Sequence, residues 1–306
     1  MRFAPACLLA CLLGLASAAA ARPAYDDALL RKLRAAAGAV PGALPEELRY
    51  AKFAESPRTF AATVEGGDDT PYAQARTAYQ LRYPDGWIMV DAGMDEAVHR
   101  FFGRGAEEPY DAAANARIQR ALRGARLVLV THEHGDHVAG VLRSPHYAEI
   151  APKTILTARQ VDTLVRAPQM PELRMDPAQR RDFIVVDFDD VLPVAPGVAL
   201  VQAPGHTPGE LMVYARLRDG REFLITGDVS WSYAGIEQRL QKPAAQIARI
   251  GEDATAIAFQ LDWLNGLPAR GIQLLVNHDD LVQPRLAAEG VIGEGLRLDG
   301  EPGPGE

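Results

Sequence analysis

The stretch "VLVTHEHGDHVAG", Val128–Gly140, decides how the rest of the chain is read. An apolar β-branched run leads into His132, His134, Asp136 and His137, although the 306 residues contain only seven histidines. Imidazole and carboxylate together suit zinc or a similar divalent ion. In an extended segment residues two apart face the same way, so His132 and His134 are expected to reach one ion. Gly135 is expected to let the chain turn sharply, which points Asp136 and His137 toward a second ion. Four ligands at this spacing are too many for one ion that must keep an open position, and they fit a dinuclear centre.

The bulk composition frames this cluster. Nearly half of the residues are hydrophobic and about a quarter charged, the profile of a globular protein. The formal net charge is −8, and the cations are mostly Arg with no basic block. That balance speaks against a nucleic-acid partner, because phosphate binding needs clustered cations. At the N-terminus, "MRFAPACLLACLLGLASAAAARPAYDD" places a basic residue, an apolar run and then small residues before a polar stretch. This is the layout of a secretory signal peptide, residues 1–21, with cleavage after Ala20 or Ala21. Two rival readings are a membrane span from Phe3 to Ala21 and a lipoprotein acceptor in "LLAC". The signal reading implies an exported protein, periplasmic or secreted, with no stable membrane span after signal removal. Cys7 and Cys11 both lie inside this segment. The mature chain would then have no disulfide, thiolate ligand or cysteine nucleophile, and core burial must stabilise it.

Apolar periodicity supplies the elements. "YDDALLRKLRAAAGAV", "MDEAVHRFFG", "DAAANARIQRALRGA" (capped by Asp111), "ARQVDTLVRA", "DATAIAFQLDWLNGL" and "QPRLAAEGV" read as helices. "RTFAATVEG", "TAYQLRY", "GWIMVDAGM", "RLVLVT", "DFIVVDF", "GVALVQA", "ELMVYARL", "EFLITGD" and "IQLLVNHDD" read as strands, with a hairpin turn at "YPDGW". Strands come in two batches with helices interleaved, and no linker or repeat divides the chain. The expectation is an α/β protein of two packed sheets with helices outside. One domain would span residues 22–292, followed by a Gly/Glu-rich tail, 293–306, that frays.

"THEHGDH" resembles the H-x-H-x-D-H signature of the metallo-β-lactamase superfamily, and four further motifs follow the family order. "WIMVDAG" ends in Asp91, "APGHTPGE" contains His206, "FLITGDVSW" contains Asp228 and "LLVNHDD" contains His278. The resemblance implies a four-layer αββα sandwich holding two divalent metal ions, expected to be zinc, with iron and manganese as alternatives. It implies His132, His134 and His206 on one ion, Asp136, His137 and His278 on the other, and Asp228 bridging both. Asp91 would orient ligands from outside the centre. His99 and His146 match no motif and are expected to be solvated. Asp279 and Asp280 are expected to cap a helix or orient His278 rather than bind metal.

Such a centre implies metal-assisted hydrolysis, in which a hydroxide held between the ions attacks a carbonyl. Asp228 as a bridging carboxylate departs from the β-lactamase branches. It resembles the lactonase, glyoxalase II-type thioesterase, ribonuclease Z and phosphodiesterase branches, and "GHTPG" with "HDD" looks most like the lactonases. Those enzymes carry a Tyr three residues after the bridging Asp, where this chain has Trp231. Tyr233 is the expected substitute, with Asp136 or a metal-bound water as the alternative acid for the leaving group. Trp231, Tyr233 and Ile236 are expected to wall an apolar pocket. The expected substrate is a small lactone or related ester. An exported β-lactamase or a thioesterase is the alternative, and a non-enzymatic metal-binding protein is the reading outside this class.

Overall fold

Each core strand sends alternate side chains to two different cores, and this alternation builds the layers. The computed structural model describes residues 24–298. One sheet contains β1 (Glu47–Thr59), β2 (Pro71–Tyr83), β3 (Gly86–Val90), β4 (Leu127–Leu129), β5 (Thr154–Thr157) and β6 (Ile184–Val186). The other contains β7 (Val191–Ala195), β8 (Val198–Gln202), β9 (Leu211–Arg216), β10 (Glu222–Ile225) and β11 (Ile272–Leu275). A last short strand, β12 (Gly293–Glu294), returns to the first sheet. The strand orders are β12-β1-β2-β3-β4-β5-β6 and β11-β10-β9-β8-β7. The run β3 to β6 is parallel, as is the pair β10–β11.

Between the sheets lie Ile88 and Val90 of β3, Leu129 of β4, Val198 and Leu200 of β8, and Leu211 and Val213 of β9. The residues that alternate with them face outward into two further cores. Trp87, Met89 and Val128 pack under α2 (Glu96–Phe102), α3 (Ala112–Gly124), α4 (Gly135–Leu142), α5 (Tyr147–Ile150) and α6 (Ala158–Arg166). Ala199, Val201, Met212 and Tyr214 pack under α1 (Asp27–Ala37), α7 (Tyr233–Gln238) and α9 (Ala254–Gly266). Two more helices, α8 (Ala244–Ile250) and α10 (Val282–Ala288), complete the set. The architecture is the expected α/β four-layer αββα sandwich. Among the described residues no helix is long and apolar enough to cross a membrane.

Three local expectations are corrected. "RTFAATVEG" is not a strand: β1 ends at Thr59, and Phe60–Ala62 forms a 3-10 turn. The strand lies upstream in "ELRYAKFAESPRT", where Lys52 and Glu55 break the alternation and a bulge falls between Lys52 and Ala54. The fold also continues beyond residue 292. Gly293 and Glu294 pair in parallel with Arg49 and Tyr50, Leu296 is buried, and the Gln80 amide bonds both backbone groups of Arg297. At the hairpin, β2 closes on β3 with Tyr83 opposite Gly86, and Gly86 alone takes a positive φ. The signal segment, with both cysteines, lies outside the described residues, as do positions 299–306.

The segments that follow β3, β4, β8, β10 and β11 carry the five motifs and converge on one edge of the sandwich. Close helix docking fixes that edge. A Cβ built on Gly140 of α4 would stand 1.9 Å from the Ala92 carbonyl oxygen, and the Gly140 N–H donates to Gly93 O at 2.7 Å. Gly140→Ala is therefore expected to destabilise the fold by about 1–3 kcal/mol, read as a lowered urea midpoint. An unchanged midpoint would show that α4 does not need this contact.

Candidate metal centre

His132 emerges directly from β4, and His134 forms the N-cap of α4 with extended backbone angles (φ −75°, ψ 157°). Gly135 is the first helical residue and does not have a positive φ. The expected glycine turn is thus a helix start, and Gly135 serves by its size: a Cβ there would lie 3.0 Å from Val98 and 3.2 Å from Leu173. The first turn of α4 then carries Asp136 and His137. His206 comes from the β8–β9 connection, Asp228 follows β10, and His278 follows β11.

These side chains meet in three overlapping groups: His132, His134 and His206; His132, His137 and Asp228; and Asp136, His137 and His278. Within each group the potential ligand atoms lie within 4.8 Å of one another. His206 Nε2 is 2.9 Å from His134 Nδ1, and His278 Nε2 is 2.9 Å from Asp228 Oδ2. Asp228 Oδ1 lies 3.5 Å from His137 Nε2, and Asp228 Oδ2 lies 3.8 Å from His132 Nε2. His132 Nε2, His137 Nε2 and Asp228 Oδ1 are buried without a hydrogen-bond partner. An unsatisfied buried polar atom is costly, so three of them facing one another fit a cation. The donor set of imidazoles and carboxylates is that of a divalent metal site.

The atoms turned away from the centre are tied down, as metal ligands require. Asp91 Oδ2 pairs with His137 Nδ1 at 2.8 Å and accepts from Asn277 Nδ2 at 2.7 Å, while Oδ1 accepts from Thr131 N at 2.8 Å. His278 Nδ1 donates to the Ala75 carbonyl at 2.6 Å. His206 Nδ1 bonds Glu252, whose same oxygen accepts from Lys242 Nζ at 2.7 Å. Lys242 also donates to Asp228 O at 2.6 Å and stands 5.0 Å over the Trp231 ring. The Trp231 indole N–H donates to Asp228 Oδ2 at 3.0 Å.

Burial and neighbouring charges set the ionisation. Burial holds His132 well below its ordinary value, and burial with the His206 charge pushes His134 down to about 3. His206 is lowered by burial and by Lys242. Burial also acts against a charged His137, yet Asp136, Asp91 and Asp228 outweigh it and hold that imidazole well above its ordinary value. Burial opposes ionisation of Asp228, but His278, His137 and His132 overcome it, and its carboxyl lies well below the usual range.

The structure brings together His132, His134, Asp136, His137, His206, Asp228 and His278, with Asp91 behind His137. Tyr233 is not among them. It opens α7, its hydroxyl donates to the Leu274 carbonyl, and its ring packs in the outer core with Ile236. Of the expected apolar wall, only Trp231 lines the cavity over the cluster. His99 is buried rather than solvated, 5.6 Å from the Tyr110 ring and stacked on it, because α2 turns it inward. His146 is half-buried, 3.5 Å from Glu149. Asp279 accepts from the Leu281 and Val282 amides at the start of α10, and Asp280 pairs with Lys52.

Sequence reasoning missed five residues. Arg76 Nε lies 3.2 Å from Asp136 Oδ2. Glu133 accepts from Thr207 Oγ1 at 2.9 Å and Gly209 N at 3.2 Å, joining the second motif to the third. Glu210 accepts from Asp228 N at 2.6 Å. Lys242 and Glu252 complete the set. Glu133 and Glu210 sit inside quoted motifs, and an acid within a buried motif was the available signal. Arg76 stands just before the strand read as "TAYQLRY", and nothing in the sequence marked it.

Two variants test this arrangement. Asp91→Ala is expected to weaken zinc affinity about 10- to 100-fold, measured by competition with a chromogenic chelator. Tyr233→Phe is expected to change turnover less than about threefold while costing about 1 kcal/mol of stability. A large loss of turnover without a loss of stability would return that hydroxyl to the site.

Residues 72–257 match the model of the metallo-beta-lactamase superfamily. No curated protein matches the sequence. Among solved structures, an N-acyl homoserine lactone hydrolase with N-hexanoyl-L-homoserine at its catalytic metal centre superposes with a TM-score of 0.62 at 15% identity, covering 84% of this chain and 99% of that one. A B. thuringiensis AiiA mutant with N-decanoyl-L-homoserine bound gives 0.62 at 16% identity, with 84% and 99% covered. A probable metal-dependent hydrolase from Staphylococcus aureus gives 0.58 at 14%, with 78% and 91% covered. At these identities the likeness establishes the fold alone. The family-model match spans more than half of the chain and takes in the first four motifs: the chain belongs to the metallo-β-lactamase superfamily.

Proposed function

We propose that this protein is an exported dinuclear-metal hydrolase that opens a lactone or a related carboxylic ester. The observation that carries the reading is the position of Asp228, which touches both ligand triads at once. In this reading His132, His134 and His206 hold one ion, Asp136, His137 and His278 hold the other, and Asp228 spans the two. Zinc is the expected metal, although iron and manganese accept the same ligands. When bound, the pair supplies Lewis acidity toward a carbonyl oxygen and an acidified water as nucleophile.

The chain's own groups do the rest. The Trp231 N–H is committed to Asp228 Oδ2 and fixes the plane of that carboxylate, so the indole positions rather than protonates. Burial opposes ionisation of Asp136, but His137 and Arg76 hold its carboxyl well below the usual range. Lying on the cavity wall, this carboxylate stays ionised and is placed to accept a hydrogen bond from the attacking water and orient it. The solved lactonases support the lactone choice through their shared fold and their named ligands. The signal-like N-terminus supports export.

Proton release at constant pH tests the reading, using the zinc-loaded protein against an acyl-homoserine lactone, a δ-lactone, a penicillin, a glutathione thioester and a phosphodiester. Preference for lactones, abolished by chelation and reduced more than about 100-fold by Asp228→Ala, is the expected result; the reduction exceeds what loss of an outer partner produces. Preference for the penicillin or the thioester would move the substrate within the fold. Turnover that survives complete metal removal would end the metal-hydrolase reading.

A further inference from the structure

The cavity above the cluster, about 1060 Å³, is lined by five arginines: Arg58, Arg76, Arg104, Arg166 and Arg249. Three have carboxylate partners. Arg58 pairs with Glu108, Arg76 with Asp136 and Arg166 with Asp162. Arg104, just after α2, and Arg249, in the last turn of α8, form no ion pair with any described residue. Arg249 spends only its Nε, on Gln246 Oε1 at 2.9 Å. Neither arginine bonds a residue of the metal-ligand cluster. They reach the same cavity from separate parts of the chain, Arg104 from the loop after α2 and Arg249 from α8. Both arginine side chains are exposed; partial burial and the like charges of Arg104 and Arg58 lower the Arg249 guanidinium from its ordinary value, while Glu252 nearby raises it. Two like charges that share one cavity, neither of them paired with a carboxylate, attract an anion, and planar guanidinium forks match the oxygens of carboxylate and phosphate.

We infer that the substrate of this centre carries an anionic group, a carboxylate or a phosphate, which Arg104 and Arg249 grip together while the reacting carbonyl faces the His/Asp cluster. The inference rests on the hydrolase reading for the reaction and on the arginine geometry for the anion. It separates this cavity from one shaped for a plain acyl chain. The apolar side chains of the lining, Phe101, Phe102, Pro208, Trp231 and Ile250 among them, share the cavity with these two cations.

Two measurements on the zinc-loaded protein decide it. The first compares kcat/KM for p-nitrophenyl hexanoate with that for the p-nitrophenyl monoester of adipic acid, whose far end is a carboxylate. The expected preference for the anionic ester is at least about 10-fold, the scale of one charge-assisted hydrogen bond. It should collapse toward parity in the Arg104→Ala/Arg249→Ala double variant and survive largely in Arg104→Lys/Arg249→Lys. The second is calorimetric titration of hexanamide, hexanoate and hexyl phosphate into the native protein and the double alanine variant. Anion affinity should fall about 10-fold in the variant, and the anion with the larger fall identifies the group. Anion binding that ignores the double substitution overturns the inference, whatever the esters show. Hydrolysis of neither ester, with arginine-dependent anion binding intact, would instead overturn the ester-hydrolase reading and leave the anion site standing.

Discussion

The Asp91 carboxylate is fully buried at a φ of +62°, a backbone region that non-glycine residues seldom occupy. It is held there by what it binds. One oxygen takes the Thr131 amide at the end of β4, the other takes His137 on α4 and Asn277 after β11, and the Thr131 hydroxyl reaches both. One side chain thus ties together the ends of strands from both sheets and the helix that carries two candidate ligands. A buried charge with this many donors is satisfied; with any donor removed it becomes a liability. The backbone strain at Asp91 persists because the surrounding bonds over-determine it.

From that knot the rest of the edge follows. Parallel strands such as β3, β4 and β5 deliver their carboxyl ends to the same side, so loops after them meet without long excursions. The second sheet meets them there with β8, β10 and β11. The core between the sheets is built mainly from apolar side chains, and the candidate ligands are gathered where the strands end. Several candidate ligands are consequently braced by residues outside the cluster: His206 by Glu252, His278 by the Ala75 carbonyl, and Asp228 by Trp231, Lys242 and Glu210. Bracing of this kind sets imidazole orientation before an ion arrives, which lowers the cost of binding it.

Much of this was legible in the sequence. The five motifs sit at the ends of strands whose apolar alternation is plain, so the α/β class could be read from the pattern, while the family resemblance those motifs carry supplied the seven candidate ligands. Other features depended on contacts distant along the chain. Tyr233 looked like a site residue because it lies five positions beyond Asp228, but Ser232 caps a helix there and turns the ring outward. The first half of β1 was missed because Lys52 and Glu55 interrupt its pattern; they are tolerated by pairing with each other and, through Lys52, with Asp280. Lys242 and Glu252 belong to no motif. Their meaning comes from meeting each other across ten residues.

That meeting has an architectural consequence. Lys242 and Glu252 are a buried ion pair on either side of α8, a helix with no buried residue of its own that contributes Gln246, Arg249, Ile250 and Gly251 to the cavity wall. The segment between them is a closed loop, cinched at its neck by the same two residues that hold Asp228 and His206. Residues 243–251 thus present their side chains to an incoming molecule from a segment whose two ends are pinned by the ion pair. One stretch of the cavity wall is therefore anchored to the cluster only at the segment's two ends.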